Sequence, residues 1–482
     1  MITYVLINNA SIHAALRAGP IFTYSIGSMV FLHASRADVV RDLGRCGTSL
    51  DLGKSSYMKV THRPLFGDGI LKSSGEAWAH QRSLIAPEFC PNKVKGMVDL
   101  MVGSATALVA SWEDRISSGG GGGGAELELK IDDDIRAYSA DVISRTCFGS
   151  SYVKGKRIFA AIRELQKAVS KPNLLAEMTG LSFLPTRTNT EAWRLNRVVR
   201  DLVLDVVRES GGDDRNLLNA MLRSAAAESG GGGRVAAVEE FVVDNCKNIY
   251  FAGYETTAVT AAWCTMLLAL HPEWQDRVRD EARQACAAGA APDFASLHKM
   301  KKVNSDDVLH VSSTHSSMHA PHGSQRSHLL LLLLQLTMVI QETLRLYPAG
   351  SVVSRQALRD VTLGGVRVPA GVNIYVPVST VHLDPELWGA DAGEFDPGRF
   401  ADDAHHQRQP HAYLPFGAGA RICLGQAFAM AELKVLLALV LSRFHISLSP
   451  AYVHSPALRL IVEPEHGVRL VLRNVEPSPG AS

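Results

Sequence analysis

The segment at residues 416–425 constrains this chain more than any other, and it reads Phe-Gly-Ala-Gly-Ala-Arg-Ile-Cys-Leu-Gly. Its cysteine, Cys423, follows Phe416 by seven residues and Arg421 by two, and Gly425 comes two residues later. A lone cysteine is usually a small buried hydrophobe, but this spacing favours a thiolate ligand. Backbone N–H groups in a glycine-containing turn that leads into a helix stabilise a thiolate against protonation. The segment therefore predicts a cysteine that is stabilised as a thiolate.

The glycines of this segment predict a large, flat cofactor. They let the backbone approach such a group closely, and Phe416 can pack beside the sulfur and restrict solvent. Residues 426–434 follow as an amphipathic helix. The pattern resembles the haem-binding loop of the cytochrome P450 family, in which a cysteine thiolate ligates the iron of haem b. That resemblance makes Cys423 the axial ligand. The other cofactor-binding residues that it implies in this loop are Phe416, Gly419, Arg421 and Gly425.

A second motif, residues 252–257, reads Ala-Gly-Tyr-Glu-Thr-Thr and lies within a long apolar helical stretch over 241–270. Small residues leave room over a haem face, and a threonine hydroxyl can bond to a carbonyl of the preceding turn and open the helix locally. A Glu–Thr pair is often part of a solvated face, but a buried acid is costly unless it is paired or used. The resemblance implies that Glu255 and Thr256 are catalytic and deliver protons.

A third motif predicts structural support on the haem side. Glu342 and Arg345 are three residues apart on one helix face and can form a charge-assisted ion pair. In the family a downstream arginine joins such a pair, and here it would be Arg399. Family members usually have an acid where this chain has Gly398. That difference would remove one hydrogen bond from the network and leave the arginine in place.

A fourth motif predicts contacts to the haem propionates. Trp78 and Arg82 are four residues apart on one helix face, and both side chains can donate to a carboxylate. Stacking of the two at the surface is the alternative interpretation. The resemblance implies that both reach a propionate, together with Arg355 on a strand-like segment and Arg421 in the cysteine loop.

Composition and charge fit one large enzyme domain. The chain has 482 residues and a hydrophobic fraction of 46%, and its motifs converge on one cofactor, so we expect one domain over 19–474. The net charge of +1 gives no argument for nucleic acid. Seven cysteines form no CxxC pair, which suggests reduced thiols facing the cytosol.

Helical periodicity dominates, so the predicted fold class is mainly α with a small β subdomain, as in the cytochrome P450 fold. The predicted helices span 38–45, 94–115, 132–147, 157–169, 191–209, 238–270, 274–288 and 337–347. The predicted strands span 24–32, 361–368, 373–378, 458–463 and 467–472. The glycine runs at 119–124 and 230–233 predict surface loops.

Wider stretches resemble one plant branch of the family, which contains the gibberellin 13-oxidases and the elongated-uppermost-internode gibberellin epoxidase. The segments that carry this similarity are 55–78, 163–179, 271–277, 379–388 and 456–467. The resemblance implies a monooxygenase that oxidises a gibberellin-type diterpenoid or a similar hydrophobic small molecule with O2. The chain has no glycine-rich flavin or NADPH motif. Electrons are therefore expected from a separate NADPH-dependent cytochrome P450 reductase.

Several alternatives stay open at this point. Another plant hormone or terpenoid could be the substrate, and a haem-thiolate isomerase or dehydratase would need no O2 activation. The chain could also be a defective, non-enzymatic product of an imperfect gene. An apolar pocket wall, predicted at 65–66, 251–252 and 349–353, suits a diterpenoid acid.

Three segments depart from the family pattern. Residues 1–18 contain no apolar run long enough to span a membrane, although the resemblance implies the cytosolic face of the endoplasmic reticulum membrane. Residues 303–335 interrupt the catalytic domain, carry no helical period and include the six leucines 329–334. Because valine codons begin with GT and glutamine can be encoded by CAG, we interpret 303–335 as a translated intron. A genuine surface insertion is the alternative. Residues 475–482 form a C-terminal tail.

Overall fold

The structure is a computed structural model that describes residues 19–46, 48, 50–118, 126–149, 152–170, 184–209, 217–228, 235–285, 334–401 and 411–475. The helices of the first half are α1 (Ala37–Arg45), α2 (Ser56–Thr61), α3 (Arg63–Phe66), α4 (Gly75–Ile85), α5 (Pro91–Ser118), α6 (Asp132–Phe148), α7 (Tyr152–Val169), α8 (Arg187–Glu209) and α9 (Leu217–Glu228). Those of the second half are α10 (Val235–Leu270), α11 (Pro272–Ala285), α12 (Gln335–Leu346), α13 (Val378–His382), α14 (Pro385–Trp388) and α15 (Gln426–Arg443).

The strands form small sheets beside these helices. They are β1 (Ile21–Ile26), β2 (Met29–Ala34), β3 (Leu52–Gly53), β4 (Glu126–Lys130), β5 (Val352–Ala357), β6 (Val361–Leu363), β7 (Val366–Val368), β8 (Asn373–Pro377), β9 (Phe444–Leu448), β10 (Pro456–Arg459), β11 (Ile461–Pro464) and β12 (Arg469–Asn474). A five-stranded sheet has the order β1-β2-β8-β5-β3, and a three-stranded sheet has the order β4-β12-β9. The pairs β6-β7 and β10-β11 are separate hairpins.

Helix α10 is the axis of the helical body because it is apolar on nearly all of its faces. A helix of that composition must be covered on all sides, and α6, α9 and α15 pack against it. Trp263, Cys264 and Ala261 are fully buried along it. The main core cluster joins these helices, and a second cluster lies under the five-stranded sheet against α1 and α13. The predicted mainly α fold with a small β subdomain is confirmed.

Three segments that the sequence predicts as single strands are β-hairpins: 24–32, 361–368 and 458–463. Each turns at residues with positive φ, where the chain reverses direction. Gly27 has φ 57°, and Gly364 and Gly365 have φ 54° and 77°. The third hairpin turns at Leu460, which has φ 72°. A leucine rarely adopts a positive φ, so the sequence carries no signal for this turn.

Most predicted helices are present, with bounds that differ by a few residues, as helix ends do. Helix α5 is longer than predicted at both ends, and α9 was not predicted. Residues 1–18, the glycine runs at 119–124 and 230–233, and 303–333 of the predicted intron lie outside the described residues.

Candidate functional site

A cavity of about 350 Å3 lies where α10, α4, β5 and the cysteine loop before α15 come together. Its wall is largely apolar, with side chains such as Ile85, Leu344 and Phe428. Among the described residues that line it, none is an aspartate or a glutamate, whereas four are cationic. These are Lys54, Arg82, Arg355 and Arg421. The same cavity brings together Cys423 and Thr256.

The pocket wall only partly matches the sequence expectation. Ala252, Ala349, Gly350, Val352 and Val353 line the cavity. The predicted pair at 65–66 does not line it, nor does the aromatic residue at 251. Instead, the rings of the residues at 66 and 251 pack edge to face with centroids 5.6 Å apart in the core.

The cysteine loop is held by backbone hydrogen bonds that place Cys423 at the entrance to α15. The Cys423 N–H donates to the carbonyl of Phe416 over 2.9 Å. Gly417 and Gly419 have φ 76° and 72°, which a side chain would strain. A Cβ on Gly419 would also lie only 3.0 Å from the carbonyl oxygen of Gly44 at the end of α1. Glycine is therefore required at 419 for the loop to pack against α1.

The Cys423 thiol faces the cavity, where it is exposed to the cavity interior while protein surrounds it elsewhere. Burial raises the pKa of this thiol, whereas a hydrogen bond from the backbone of Gly425 and the charge of Arg82 favour the thiolate. Without a further positive group the neutral thiol therefore prevails. A metal cation is the group that reverses this balance, because metal coordination deprotonates a thiol.

Three guanidinium groups converge beside this loop. Arg82 donates to the carbonyl of Ile422 over 3.0 Å, and Arg421 donates to the carbonyl of Ser73 over 3.0 Å. Both lie over the ring of Trp78, at 5.4 and 4.2 Å from its centroid. Arg355 reaches the carbonyl of Ala418 at 3.5 Å. The structure thus brings together the cofactor-binding residues that the sequence predicts.

These cations fit the acidic edge of a haem. Burial lowers the pKa of Arg355 to about 10, and burial together with the charges of Arg355 and Arg82 lowers the pKa of Arg421 to about 9. Within the described part of the chain, the Nε and Nη1 atoms of Arg421 are buried and have no hydrogen-bond partner. Buried donors are ordinarily satisfied, so this pair of donors is matched to a carboxylate that the protein itself does not supply.

Helix α10 contributes Thr256 to the cavity wall. Its hydroxyl donates to the carbonyl of Ala252 over 2.7 Å, which is the back-bond that the sequence predicts. The helix nevertheless remains continuous from Val235 to Leu270. Gly253 also lines the cavity, but a Cβ there would meet the side chain of Ile143 at 2.5 Å. Its small size is thus required for α6 to pack closely.

Glu255 is not brought into the cavity with Thr256. Its carboxylate is fully buried and accepts from Arg163 at 2.8 Å and from Arg136 at 3.3 Å. The hydroxyl of Tyr254 donates to it over 2.6 Å. Arg136 also pairs with Glu463 at 3.0 Å. A buried carboxylate is stable when it is paired in this way, so these partners hold Glu255 on the side of α10 that faces α6 and α7.

The predicted support network around Arg345 is present. Both oxygens of Glu342 accept from Arg345, at 2.7 and 2.8 Å, and Arg399 lies 3.6 Å from the same carboxylate. The backbone N–H of Asp396 also donates to Glu342 over 2.9 Å. The carboxylate is thus well supplied with donors although residue 398 is a glycine.

His382 connects this network to the cysteine loop, a link that sequence reasoning missed. Its Nδ1 lies 3.0 Å from the carbonyl of Arg345, and its Nε2 accepts from the N–H of Leu414 over 2.8 Å. Burial lowers the pKa of His382 to about 3, so the ring is neutral and can both donate and accept. Lys54 was missed as well, because a lysine in the short connection between β3 and α2 carries no motif.

Membrane criteria single out one helix in the described part of the chain. By length and apolar composition alone, α5 could cross a membrane. Its Val98, Met101 and Trp112 are, however, buried in the main core cluster against neighbouring elements, as in the core helix of a globular domain.

The family model described as cytochrome P450 matches residues 7–305 and 321–470 of this chain. The chain therefore belongs to the cytochrome P450 family, and it is a P450 monooxygenase. The family binds a haem iron and in general uses O2, a reductase partner and a hydrophobic substrate.

Within this family, the chain is similar to several individual plant proteins. The chain is 68% identical to "Cytochrome P450 714B1" of Oryza sativa subsp. japonica, over 95% of this chain and 80% of the relative. It is 61% identical to "Cytochrome P450 714B3" of Zea mays, over 95% of this chain and 78% of the relative. Among solved structures, that of the cytochrome P450DA haem domain superposes with a TM-score of 0.76 at 22% identity, over 98% of this chain and 95% of that one. The last match supports the fold.

Proposed function

We propose that this enzyme oxidises a gibberellin-type diterpenoid with O2 and electrons from an NADPH-dependent cytochrome P450 reductase. The observation that carries the chemistry is one cavity that contains a cysteine thiol, a threonine on α10 and a cluster of cations without a carboxylate. The resemblance of segments such as 55–78 and 379–388 to gibberellin-modifying plant enzymes supports the substrate class. The largely apolar wall supports a terpenoid skeleton.

The cofactor of this proposal is haem b, which supplies oxygen activation when it is bound. Cys423 would ligate its iron. Arg82, Arg355 and Arg421, with Trp78 packed beneath two of them, would hold its propionates. Phe416, Gly419 and Gly425 shape the loop that carries the thiolate. The apolar wall excludes water and holds the substrate.

Thr256 and Glu255 complete the proposal as the groups that manage protons. Thr256 has its hydroxyl at the cavity and can orient a water or relay a proton there. Glu255 lies one residue away and behind it, where Arg136 and Arg163 hold its carboxylate. In this proposal Thr256 acts at the cavity, and Glu255 acts from behind it, on the neighbouring residue of α10.

Coupling measurements test the proton role. Thr256→Ala should retain haem and substrate but release more peroxide per NADPH consumed, because proton delivery is impaired. Thr265→Ala is a matched control, since its hydroxyl donates to the carbonyl of Ala262 within the same helix and Thr265 does not line the cavity. If wild type and Thr256→Ala convert NADPH into product with equal efficiency, Thr256 has no part in the reaction.

A substrate panel tests the proposed class directly. The chain would be co-expressed with a plant cytochrome P450 reductase and given gibberellins, other plant hormones and unrelated terpenoids. We expect binding spectra and oxidised products with gibberellins. Product formation with another hydrophobic class, and none with gibberellins, would reject the proposed substrate. Fractionation of plant cells with a tagged protein would test the proposed site on the endoplasmic reticulum membrane.

Residues 303–335 belong to this proposal as a translated intron within the catalytic domain. The family model leaves 306–320 unmatched, which supports an insertion in the middle of the segment, whereas it matches 303–305 and 321–335. Helix α12 begins at Gln335, the last residue of the segment, and the carboxylate of Glu281 accepts from the N–H of Leu336 over 2.7 Å. The helix start is thus fixed by core residues outside the segment.

Transcript sequencing is the direct test of that interpretation, and deletion of 303–335 is the biochemical one. The deletion should preserve or improve haem incorporation, because the segment should contact neither haem nor substrate. Codons for 303–335 in most spliced transcripts, or loss of haem on deletion, would contradict the interpretation.

A further inference from the structure

Lys54 occupies a fixed position beside the cation cluster, although no sequence motif assigned it a role. It directly follows β3, which pairs with β5 in the register Gly53 to Gln356, so Lys54 lies next to Arg355. Its backbone N–H donates to the hydroxyl of Ser74 over 3.0 Å. Its side chain lines the same cavity as Cys423. The backbone therefore holds this ammonium group at the cavity.

The electrostatics around Lys54 are unfavourable for an ammonium group. Burial lowers its pKa to about 7, and the charges of Arg355 and Arg421 act in the same direction. Among the described residues that line the cavity, no aspartate or glutamate offsets these charges. Lys54 is half-buried, and its position among other cations makes its charge unfavourable. An anion beside Lys54 would offset that cost.

The charge count also exceeds what a haem needs. A haem presents two propionates, whereas the cavity wall contains three guanidinium groups and Lys54. Bidentate pairing suits guanidinium groups to carboxylates, and a lysine acts as a more adaptable point charge. Four cations thus face two propionates, so Lys54 is available either to share a propionate or to bind a second acidic group.

We propose that Lys54 binds a carboxylate in this cavity, which is either a haem propionate or the acid group of the substrate. The substrate alternative rests on the proposed function, in which the substrate is a terpenoid acid. The haem alternative does not depend on the identity of the substrate. Both ligands would present a carboxylate to Lys54, and the experiment below distinguishes them.

The test compares Lys54→Met with Lys54→Arg, which keeps the charge, and with Lys59→Met. Lys59 is a matched control because it is a lysine close to the same arginine but does not line the cavity. It lies on α2, and burial, followed by the charge of Arg421, lowers its pKa. Two properties of the haem-loaded protein are measured. One is the rate of haem transfer to apomyoglobin, and the other is the dissociation constant of a terpenoid acid and of its methyl ester from binding spectra.

A propionate contact predicts that Lys54→Met loses haem about tenfold faster, while Lys54→Arg and Lys59→Met match wild type. A substrate contact predicts unchanged haem transfer and about tenfold weaker binding of the acid, with the methyl ester unaffected. If Lys54→Met matches wild type in both measurements, the proposal is wrong. If Lys54→Met does not fold, Lys54→Gln is put through the same two measurements.

Failure of this proposal differs from failure of the proposed function. Gibberellins that are not substrates would reject the proposed function, yet faster haem transfer from Lys54→Met would still support the carboxylate site. Any hydrophobic acid that gives a binding spectrum can be compared with its ester.

Discussion

Two charged clusters inside this molecule, one largely buried and one half-buried around the cavity, differ in whether their charges are balanced. Behind α10, Arg136 and Arg163 face Glu255 and Glu463, with separations between 2.8 and 3.9 Å. In the cavity, four cations converge and none of the described lining residues is an aspartate or a glutamate. The charges of the first cluster are balanced within the protein, whereas those of the second are not.

The difference distinguishes a structural cluster from a ligand site. Buried charges are tolerated when partners inside the protein compensate them, so the balanced cluster needs nothing from outside. Unbalanced buried charges destabilise the empty protein and are compensated when an anionic ligand binds. The orphaned donors of Arg421 lie in the unbalanced cluster. Substitutions in the two clusters should therefore affect different properties.

The largest effect is expected at Cys423, whose thiol lies in the cavity wall beside the four cations. Cys423→Ala should abolish the red-shifted carbon-monoxide band of reduced, thiolate-ligated haem, together with activity, because no thiolate remains to bind the iron. Cys90→Ala is the control, since this thiol is half-buried, does not line the cavity and should leave the band unchanged. Retention of the band in Cys423→Ala would rule out Cys423 as the ligand.

The balanced cluster should show the largest effect on stability. Arg136→Met leaves Glu255 and Glu463 with one cation fewer and should lower the free energy of unfolding by about 3–5 kcal/mol. Urea unfolding of the haem-loaded protein measures this change in the free energy of unfolding. Arg115→Met removes an exposed partner of Asp134 and should have a much smaller effect. Equal effects of the two substitutions would show that the buried cluster has no special role in stability.

The sequence predicted the residues of the cavity cluster better than those of the balanced cluster. Cys423, Arg421 and Trp78 stand in short motifs whose spacing follows from a loop or a helix turn, and all of them line the cavity. The arginines that pair with Glu255 come from α6 and α7, and the second acid that they contact, Glu463, comes from β11, far away in the chain. Local periodicity cannot reveal contacts that exist only after the helices have packed. The same reason hid Lys54, whose neighbour Arg355 is about 300 residues away along the chain.

A third substitution should separate haem binding from folding. Arg421→Met removes buried donors that the protein leaves without a partner, so it should weaken haem binding by about 1.5–3 kcal/mol, the contribution of a hydrogen bond to a charged group. With haem in excess, the urea midpoint should change far less than in Arg136→Met, because repulsion with Arg355 and Arg82 is relieved at the same time. Haem transfer to apomyoglobin is the measurement, with Arg443→Met as the exposed control on α15. A large drop in stability with unchanged haem transfer would place Arg421 among the structural charges.

The effect that depends most on conditions is expected at Glu432, a buried acid on α15 that belongs to neither cluster, and it is small only at the acidic end of the pH range. Its two carboxyl oxygens are buried and no cation pairs with them in the described part of the chain, although the Ser139 hydroxyl lies close enough to favour the charged form slightly. Burial raises the pKa of Glu432 well above its ordinary value, so the folded protein keeps this group neutral. Such an acid differs from Glu255 because no cation holds it in the charged form.

The pH dependence of stability tests this difference. An acid with a raised pKa in the folded state keeps its proton there and loses it on unfolding, so its contribution is fully present below about pH 4.5 and falls as the pH rises towards the folded value. Glu432→Gln, which mimics the neutral acid, should remove a slope of at most about 1.4 kcal/mol per pH unit. Burial raises the pKa of Glu281 to about 8, so it adds a similar slope in both proteins and cancels in the comparison. The measurement is the free energy of unfolding in urea between pH 5.5 and 8, and Glu432→Gln should become more stable relative to wild type as the pH rises. For the surface control Glu113→Gln, the dependence of this free energy on pH should match that of wild type. If Glu432→Gln also matched wild type, the buried acid would be charged in the folded protein.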